Sequence, residues 1–114
     1  MDDDGKMLKE IDREVYRTAL VSLFWSIIQD RKAQPGGYRM QDLARELGID
    51  KSQVSRWFSD MPNWEANTVA DIANALDVEL RVEAYDRTTG KRYTSVGPDP
   101  EPLHGKGRAA LAGR

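Results

Sequence analysis

The 114-residue chain contains no cysteine and a single histidine, His104. Without cysteine there are no disulfides, no thiolate metal ligands and no thiol nucleophile. Glycine-rich phosphate-binding loops are also missing. The acidic residues near the start of the chain, Glu10, Asp12 and Glu14, are too scattered for general acid–base catalysis or for a metal site. We therefore expect neither an enzyme nor a bound cofactor or metal.

Long apolar runs are absent as well. No stretch approaches the roughly 20 apolar residues of a membrane-spanning helix, and the acidic start MDDDGKMLKE lacks the basic-then-apolar order of a signal peptide. These absences predict a cytoplasmic protein without a membrane partner. The formal net charge is −2. Any affinity for nucleic acid must therefore come from a small, well-placed set of residues.

Residues 40–59, MQDLARELGIDKSQVSRWFS, predict two short helices joined by a tight turn. The apolar positions of the first helix recur at helical spacing: Met40, Leu43, Ala44 and Leu47. Gly48 is expected to end this helix, because glycine takes the left-handed conformation at little steric cost. Asp50 is the expected N-cap of the second helix, with Gln53 completing a capping box three residues later.

The second helix of this pair has a buried stripe and a polar face. The stripe consists of Val54, Trp57 and Phe58, and the polar face of Lys51, Ser52, Gln53, Ser55 and Arg56. Glutamine can pair with adenine and arginine with guanine in the major groove of DNA. The alternative is that this face is only the solvated side of an amphipathic helix.

Within the polar face we assign Ser52, Gln53 and Arg56 to base edges. Contacts to phosphate position a protein without reading sequence, and we assign Lys51 and Ser55 to that role. Further candidates for phosphate contacts are Arg39, Gln41 and Asn63. The first-turn amides of the helix that starts near Gln41 are a further candidate for binding phosphate.

The segment resembles the helix-turn-helix of the Cro and phage-repressor family, also called the xenobiotic-response-element family. Ala44, Gly48 and Val54 match its most restrictive positions, and the apolar positions match at Leu43, Leu47 and Ile49. One departure is that Arg39-Met40 stands where the family usually has Thr-Gln. Residues 67–76 resemble the next helix of the family. The resemblance implies a lambda-repressor-like domain of four to five helices and a repressor that binds double-stranded DNA as a homodimer on an inverted repeat.

The N-terminal part of the chain predicts one long helix over residues 7–32, after a disordered stretch at residues 1–6. Its apolar residues form a single stripe with helical spacing, Leu8, Ile11, Val15, Ala19, Leu23 and Ile27, which Leu20, Phe24 and Ile28 widen. This helix either folds onto the domain or helps to hold a dimer. Together with a last helix near residues 65–76, it completes a helix-turn-helix domain at residues 7–76.

The periodicity changes from 3.6 to 2 after this domain. Val78, Leu80, Val82 and Ala84 alternate with polar residues, which predicts a strand with these four buried. A turn at residues 88–90 and a returning strand at 91–96 give a β-hairpin over residues 77–96. An isolated hairpin is marginal in water, so it must pack on the helices or pair with a second chain. Prolines and glycines in residues 97–114 predict a flexible tail.

Three tryptophans raise the question of single-stranded nucleic acid, on which aromatic rings stack. Trp57 shares the stripe of Val54, so we expect core packing there. We expect Trp64 to cover the junction between the recognition helix and the next helix, and Trp25 to pack for the first helix. Two alternative functions remain open. In the first, the chain is the antitoxin of a toxin–antitoxin pair, which binds a ribonuclease toxin as partner and represses their shared operon. In the second, it is an interaction module that keeps the helix-turn-helix fold but does not bind DNA. Binding to DNA should fall steeply with salt.

Overall fold

The computed structural model describes residues 2–99 and contains four helices followed by three short strands. The helices are α1 (Asp2–Lys32), α2 (Met40–Leu47), α3 (Lys51–Asp60) and α4 (Ala66–Ala75), and the strands are β1 (Glu83–Tyr85), β2 (Arg92–Thr94) and β3 (Gly97–Pro98). The described residues divide into two compact units, residues 2–79 and residues 80–99. The predicted fold class, mainly helical with a C-terminal β-hairpin, is confirmed.

Helix α1 begins at Asp2, five residues before the predicted start. The predicted disorder of residues 1–6 is therefore wrong for residues 2–6. Asp4 lies near the N-terminus of the helix, where a negative charge interacts favourably with the helix dipole, and this helps the helix to extend. Although α1 is long, no helix among the described residues is both long and apolar enough to cross a membrane.

The core of the first unit lies between the C-terminal half of α1 and the three shorter helices. Its buried side chains are Val21, Phe24, Ile28, Leu43, Ala44, Val54, Ile72, Ala73 and Leu76. These residues come from all four helices, and α2 packs against both α3 and α4. Burying them supplies most of the free energy that holds short helices together, because such helices are marginal alone.

The predicted single stripe along α1 is wrong. Leu8, Ile11 and Val15 are at least half exposed, whereas the buried residues of α1 begin at Val21. The reason is geometric, because α1 has 31 residues and the helices α2 to α4 have eight to ten each. The short helices cover only the C-terminal half of α1.

The turn between α2 and α3 follows the prediction at Gly48. This residue has φ 71° and ψ 31°, the left-handed conformation, and the Ile49 amide donates to the Ala44 carbonyl at 3.0 Å. The predicted capping box at Asp50 is wrong. Asp50 occupies the N-cap position, but its side chain makes no capping hydrogen bond. Its backbone carbonyl accepts from the Gln53 amide at 3.0 Å instead.

Helix α4 ends in a left-handed turn at Asp77, which has φ 57°. The Val78 amide donates to the Ala73 carbonyl at 2.9 Å, as in a Schellman motif. The Arg31 guanidinium also donates to the Leu76 carbonyl, so the last turns of α1 and α4 are joined. The Val78 amide is thus hydrogen-bonded in the turn that ends α4. For this reason the predicted strand does not start at Val78.

The second unit contains a three-stranded antiparallel sheet with the order β1-β2-β3. The predicted strand at residues 78–85 shrinks to Glu83–Tyr85, and Val82 is 80% exposed rather than buried. The predicted tail contributes β3 through residues 97–98. The rest of that predicted tail, residues 100–114, lies outside the described residues.

Arg92 joins the strands of this sheet. Its Nε donates to Asp99 Oδ2 at 2.9 Å, and its Nη1 donates to Glu83 Oε2 at 3.2 Å. These two carboxylates, with Asp99 contributing most, raise the pKa of Arg92 above its ordinary value. Ion pairing of a half-buried arginine thus holds together a sheet that has few buried apolar side chains.

We predict that Gly48→Ala destabilises the first unit by about 1–2 kcal/mol, the usual cost of a left-handed conformation for a residue with a Cβ. A Cβ at this position meets nothing within 4 Å, so the loss comes from backbone conformation alone. Gly48→Asn is the matched control, because asparagine tolerates this conformation. Urea denaturation measures the free energy of unfolding of both variants. Equal losses in the two variants would contradict the prediction.

Candidate nucleic-acid interface

Helix α3 presents one buried face and one exposed face. Val54 is completely buried, and Trp57 and Phe58 are half-buried. All five residues predicted on the polar face are exposed: Lys51, Ser52, Gln53, Ser55 and Arg56. At about 100° per residue, Ser52 and Arg56 lie almost opposite Val54. The structure therefore brings Ser52, Ser55 and Arg56 together on the solvent-facing side, with Gln53 and Lys51 at its two edges. We call the exposed side of α3 that carries these five residues the α3 polar face.

An aromatic cluster fixes the orientation of this helix. The Trp64 ring lies 5.6 Å from Trp57 and 6.1 Å from Phe58, both on α3, and 5.7 Å from Phe24 of α1. Trp25 of α1 lies 5.6 Å from Phe58. Edge and tilted contacts of this kind stabilise beyond the area they bury. All three tryptophans thus pack against other aromatic rings, although none is fully buried and Trp25 remains 42% exposed.

Asp42 organises the start of α2. Its Oδ2 accepts from the Arg39 amide at 2.8 Å, and its Oδ1 accepts from Arg45 Nη2 at 3.0 Å. The hydrogen bond from the Arg39 backbone is the main cause that lowers the pKa of Asp42, and Arg45 adds to it. A phosphate at the predicted site, the first-turn amides of α2, would find the Arg39 amide already hydrogen-bonded. It would also lie next to the negatively charged Asp42 carboxylate.

The three weaker candidates lie at the ends of the two helices. Arg39 occupies the N-cap of α2 with its side chain 67% exposed, and Gln41 follows in the first turn, half-buried. Asn63 is exposed in the loop between α3 and α4. This loop begins at Met61, whose left-handed φ of 51° ends α3. Arg39 and Asn63 are thus accessible, and Gln41 is partly covered.

Ser59 was not predicted as a site residue, although it extends the α3 polar face by one turn. It is exposed, and its hydroxyl donates to the backbone carbonyls of Ser55 at 3.2 Å and Arg56 at 3.3 Å. The hydroxyl oxygen keeps acceptor capacity. The sequence signal for this residue is its spacing of three from Arg56, which places both on the same side of a helix.

The charges of α2 and α3 nearly balance, but several cations are exposed. Arg39, Lys51 and Arg56 are exposed, and the Asp42 carboxylate at the start of α2 is paired with Arg45 at 3.0 Å and lies 4.0 Å from Arg39. No cluster of side chains in residues 2–99 has the composition to hold a metal ion. The surface can therefore offer hydrogen-bond donors and positive charge to a polyanion.

Two consecutive short helices, a glycine turn and an exposed polar face on the second helix define a helix-turn-helix domain, a class that binds DNA. Residues 27–82 match the model of the helix-turn-helix family. The domain that they form belongs to the Cro and C1 type of that family, the xenobiotic-response-element family, whose members are DNA-binding regulators. No curated protein and no solved structure matches the chain.

We predict that Asp42→Asn lowers stability at neutral pH. The folded-state pKa of Asp42 lies below its ordinary value, so the carboxylate stabilises the fold above about pH 4. That contribution is lost as the pH falls through the folded pKa. The difference in unfolding free energy between wild type and variant should therefore shrink between pH 7 and pH 3. Asp71→Asn, at an exposed position of α4, is the control. A difference that stays constant with pH would contradict the prediction.

Proposed function

We propose that the protein is a sequence-specific regulator of transcription, a repressor in the cytoplasm that binds double-stranded DNA as a dimer on an inverted repeat. The observation that supports this most directly is the α3 polar face. Five polar or cationic side chains share one exposed surface, and the aromatic cluster around Trp64 holds the helix that carries them. A rigid helix of this size fits the major groove.

The roles within the face follow from the positions of the side chains on α3. Ser52 and Arg56 lie at the centre of the exposed surface and Gln53 at its border, so we assign these three to base edges. Lys51 lies at the start of the helix, where a cation reaches the phosphate backbone, and Ser55 borders the other side. Arg39, Gln41 and Asn63 flank the groove and contact phosphate in this proposal.

A dimer is required by the small size of this surface. One short helix contacts only a few base pairs, and two copies related by a two-fold axis read twice that number. In such complexes the recognition helices enter successive major grooves about 34 Å apart. Repression then follows from steric exclusion of polymerase and requires no further chemistry from this protein.

The test of this function is selection of binding sites from a random duplex library, with the enriched site titrated at two salt concentrations. We expect enrichment of an inverted repeat and an affinity that falls steeply as salt rises, because phosphate contacts release counterions. No enrichment, with only weak binding that salt abolishes, would contradict the proposal. It would favour the predicted interaction module without DNA binding. The antitoxin alternative stays a prediction, since no contact among residues 2–99 favours it.

We predict that Arg56→Ala and Lys51→Ala weaken binding in different ways. Arg56→Ala should cost about 1–3 kcal/mol on the selected site and relax the preference at one base pair. Lys51→Ala should weaken binding to all sequences about equally and reduce the salt slope by about one. Fluorescence titrations against the selected site and single-base variants measure both effects.

Lys9→Ala is the control for these titrations, because Lys9 is an exposed cation in the N-terminal half of α1. We expect no change in its affinity for the selected site. If Arg56→Ala instead weakened all sequences equally, Arg56 would contact phosphate and the base assignment would be wrong.

A further inference from the structure

The N-terminal half of α1 carries apolar side chains that its own domain does not cover. Every residue from Asp4 to Tyr16 is exposed. Leu8 and Val15 are each 63% exposed and Ile11 is 50% exposed. We call these three residues the α1 stripe. A helical segment of this length is marginal in water unless something packs on it.

The α1 stripe lies on a different side of α1 from the residues buried in the first unit, which comes near it where Thr18 contacts Met61. At about 100° per residue, its three residues span an arc of about 60° on the helix. The buried residues of the same helix, Val21, Phe24 and Ile28, lie on an arc centred about 140° away. Helix α1 therefore has two apolar faces, one used by its own domain and one not.

Five charged residues of this half-helix lie on the opposite side from the stripe, at Lys6, Lys9, Glu10, Arg13 and Arg17, whereas Asp4 lies in line with the stripe at its N-terminal end. Arg13 pairs there with Glu10 at 2.7 Å. The half-helix is therefore amphipathic, with its charged face turned to water and its apolar face left open. Asp12 and Glu14 border the stripe. This pattern is typical of a helix that packs against a partner.

The stripe continues toward the C-terminus with small side chains. Ala19, Ser22 and Ser26 follow at the same helical spacing, and a shallow groove is lined by Ile11, Glu14, Val15, Thr18 and Ala19. The α1 stripe thus has large apolar residues, and its continuation toward the C-terminus has small residues. Two such helices packed antiparallel about an axis at Val15 place Leu8 over Ser22 and Ile11 over Ala19 of the other copy.

We propose that the α1 stripe is the surface on which a second copy of this chain docks, antiparallel and two-fold symmetric. The match of large with small side chains makes the surface complementary to itself, as an isologous interface requires. Antiparallel packing also opposes the two helix dipoles. The contact surface itself is inferred from α1 alone. Only the use of the dimer on DNA rests on the proposed function.

The overlap is small, so the free dimer is weak. Residues 4–26 of two helices share about 33 Å of length and about 10 Å of width, a few hundred Å² on each copy. Stable interfaces bury about 800 Å² per partner. Two copies held on one inverted repeat gain from their high effective concentration, and the operator therefore strengthens the pairing of the helices.

Cross-linking tests the geometry directly, because the chain contains no cysteine. The full chain is made with single cysteines and oxidised mildly. Val15→Cys should cross-link to itself, since it lies on the axis, and Lys9→Cys, on the charged side, should not. Leu8→Cys should not cross-link alone, because the two positions are about 21 Å apart in the antiparallel pair, but it should cross-link when mixed with Ser22→Cys.

Three outcomes of this experiment would overturn the proposal. Equal cross-linking of Val15→Cys and Lys9→Cys would show random collision. Self-cross-linking of Leu8→Cys would show a parallel pair. No cross-link in any sample, at concentrations where sedimentation shows a dimer, would place the interface elsewhere.

Sedimentation equilibrium separates this inference from the proposed function. Val15→Glu should raise the dimer dissociation constant by about tenfold or more, and Lys9→Glu should leave it nearly unchanged. Val15→Glu should also weaken binding to the full inverted repeat but not to one half-site. A wild-type chain that stays monomeric at the highest concentration at which it is soluble, and that binds the full repeat no more tightly than a half-site, would refute the stripe and leave DNA binding intact. If Val15→Glu abolished the dimer and the selection enriched no DNA site, the results would support the α1 stripe as the dimer interface. They would also refute the proposed function in DNA binding.

Discussion

The contacts of Trp64 with Phe24, Trp57 and Phe58 determine where α3 lies. Trp64 comes from the loop after α3, so the chain folds back and clamps α3 against α1. This arrangement leaves the opposite side of α3 free of packing and exposes its polar side chains together. The direction in which those side chains project is thus set by aromatic packing on the other face of the helix.

The electrostatics of the domain explain how a chain with a net charge of −2 can approach a polyanion. Exposed cations stand at the start of α2 and along α3, and Asp42 is engaged by Arg45. A footprint of so few cations would give a modest affinity for one half-site. In the proposed dimer, two weak interactions, one between the α1 helices and one with each half-site, would become one strong interaction when they occur together.

Local rules predicted the helix-turn-helix well. Gly48 ends α2 because of a backbone preference, and Val54 is buried because of helical spacing, so both can be inferred without the fold. The extent of the core is a tertiary property, and the spacing of Leu8 and Val15 does not reveal that α2 to α4 stop short of them. Likewise, alternation predicted a buried strand at Val82, but the sheet is held by the ion pairs of Arg92 and leaves that side chain in water.

Helix α1 is continuous from Asp2 to Lys32, and this continuity has a consequence for the choice of operators. One residue advances a helix by 1.5 Å and turns it by 100°. A residue inserted between Tyr16 and Val21 would therefore rotate the open stripe around α1 while leaving the α3 polar face unchanged. In a pair joined at the stripes, the length and rotation of α1 would set the distance and the relative rotation of the two α3 helices. Chains with identical base contacts would then distinguish operators by half-site spacing alone.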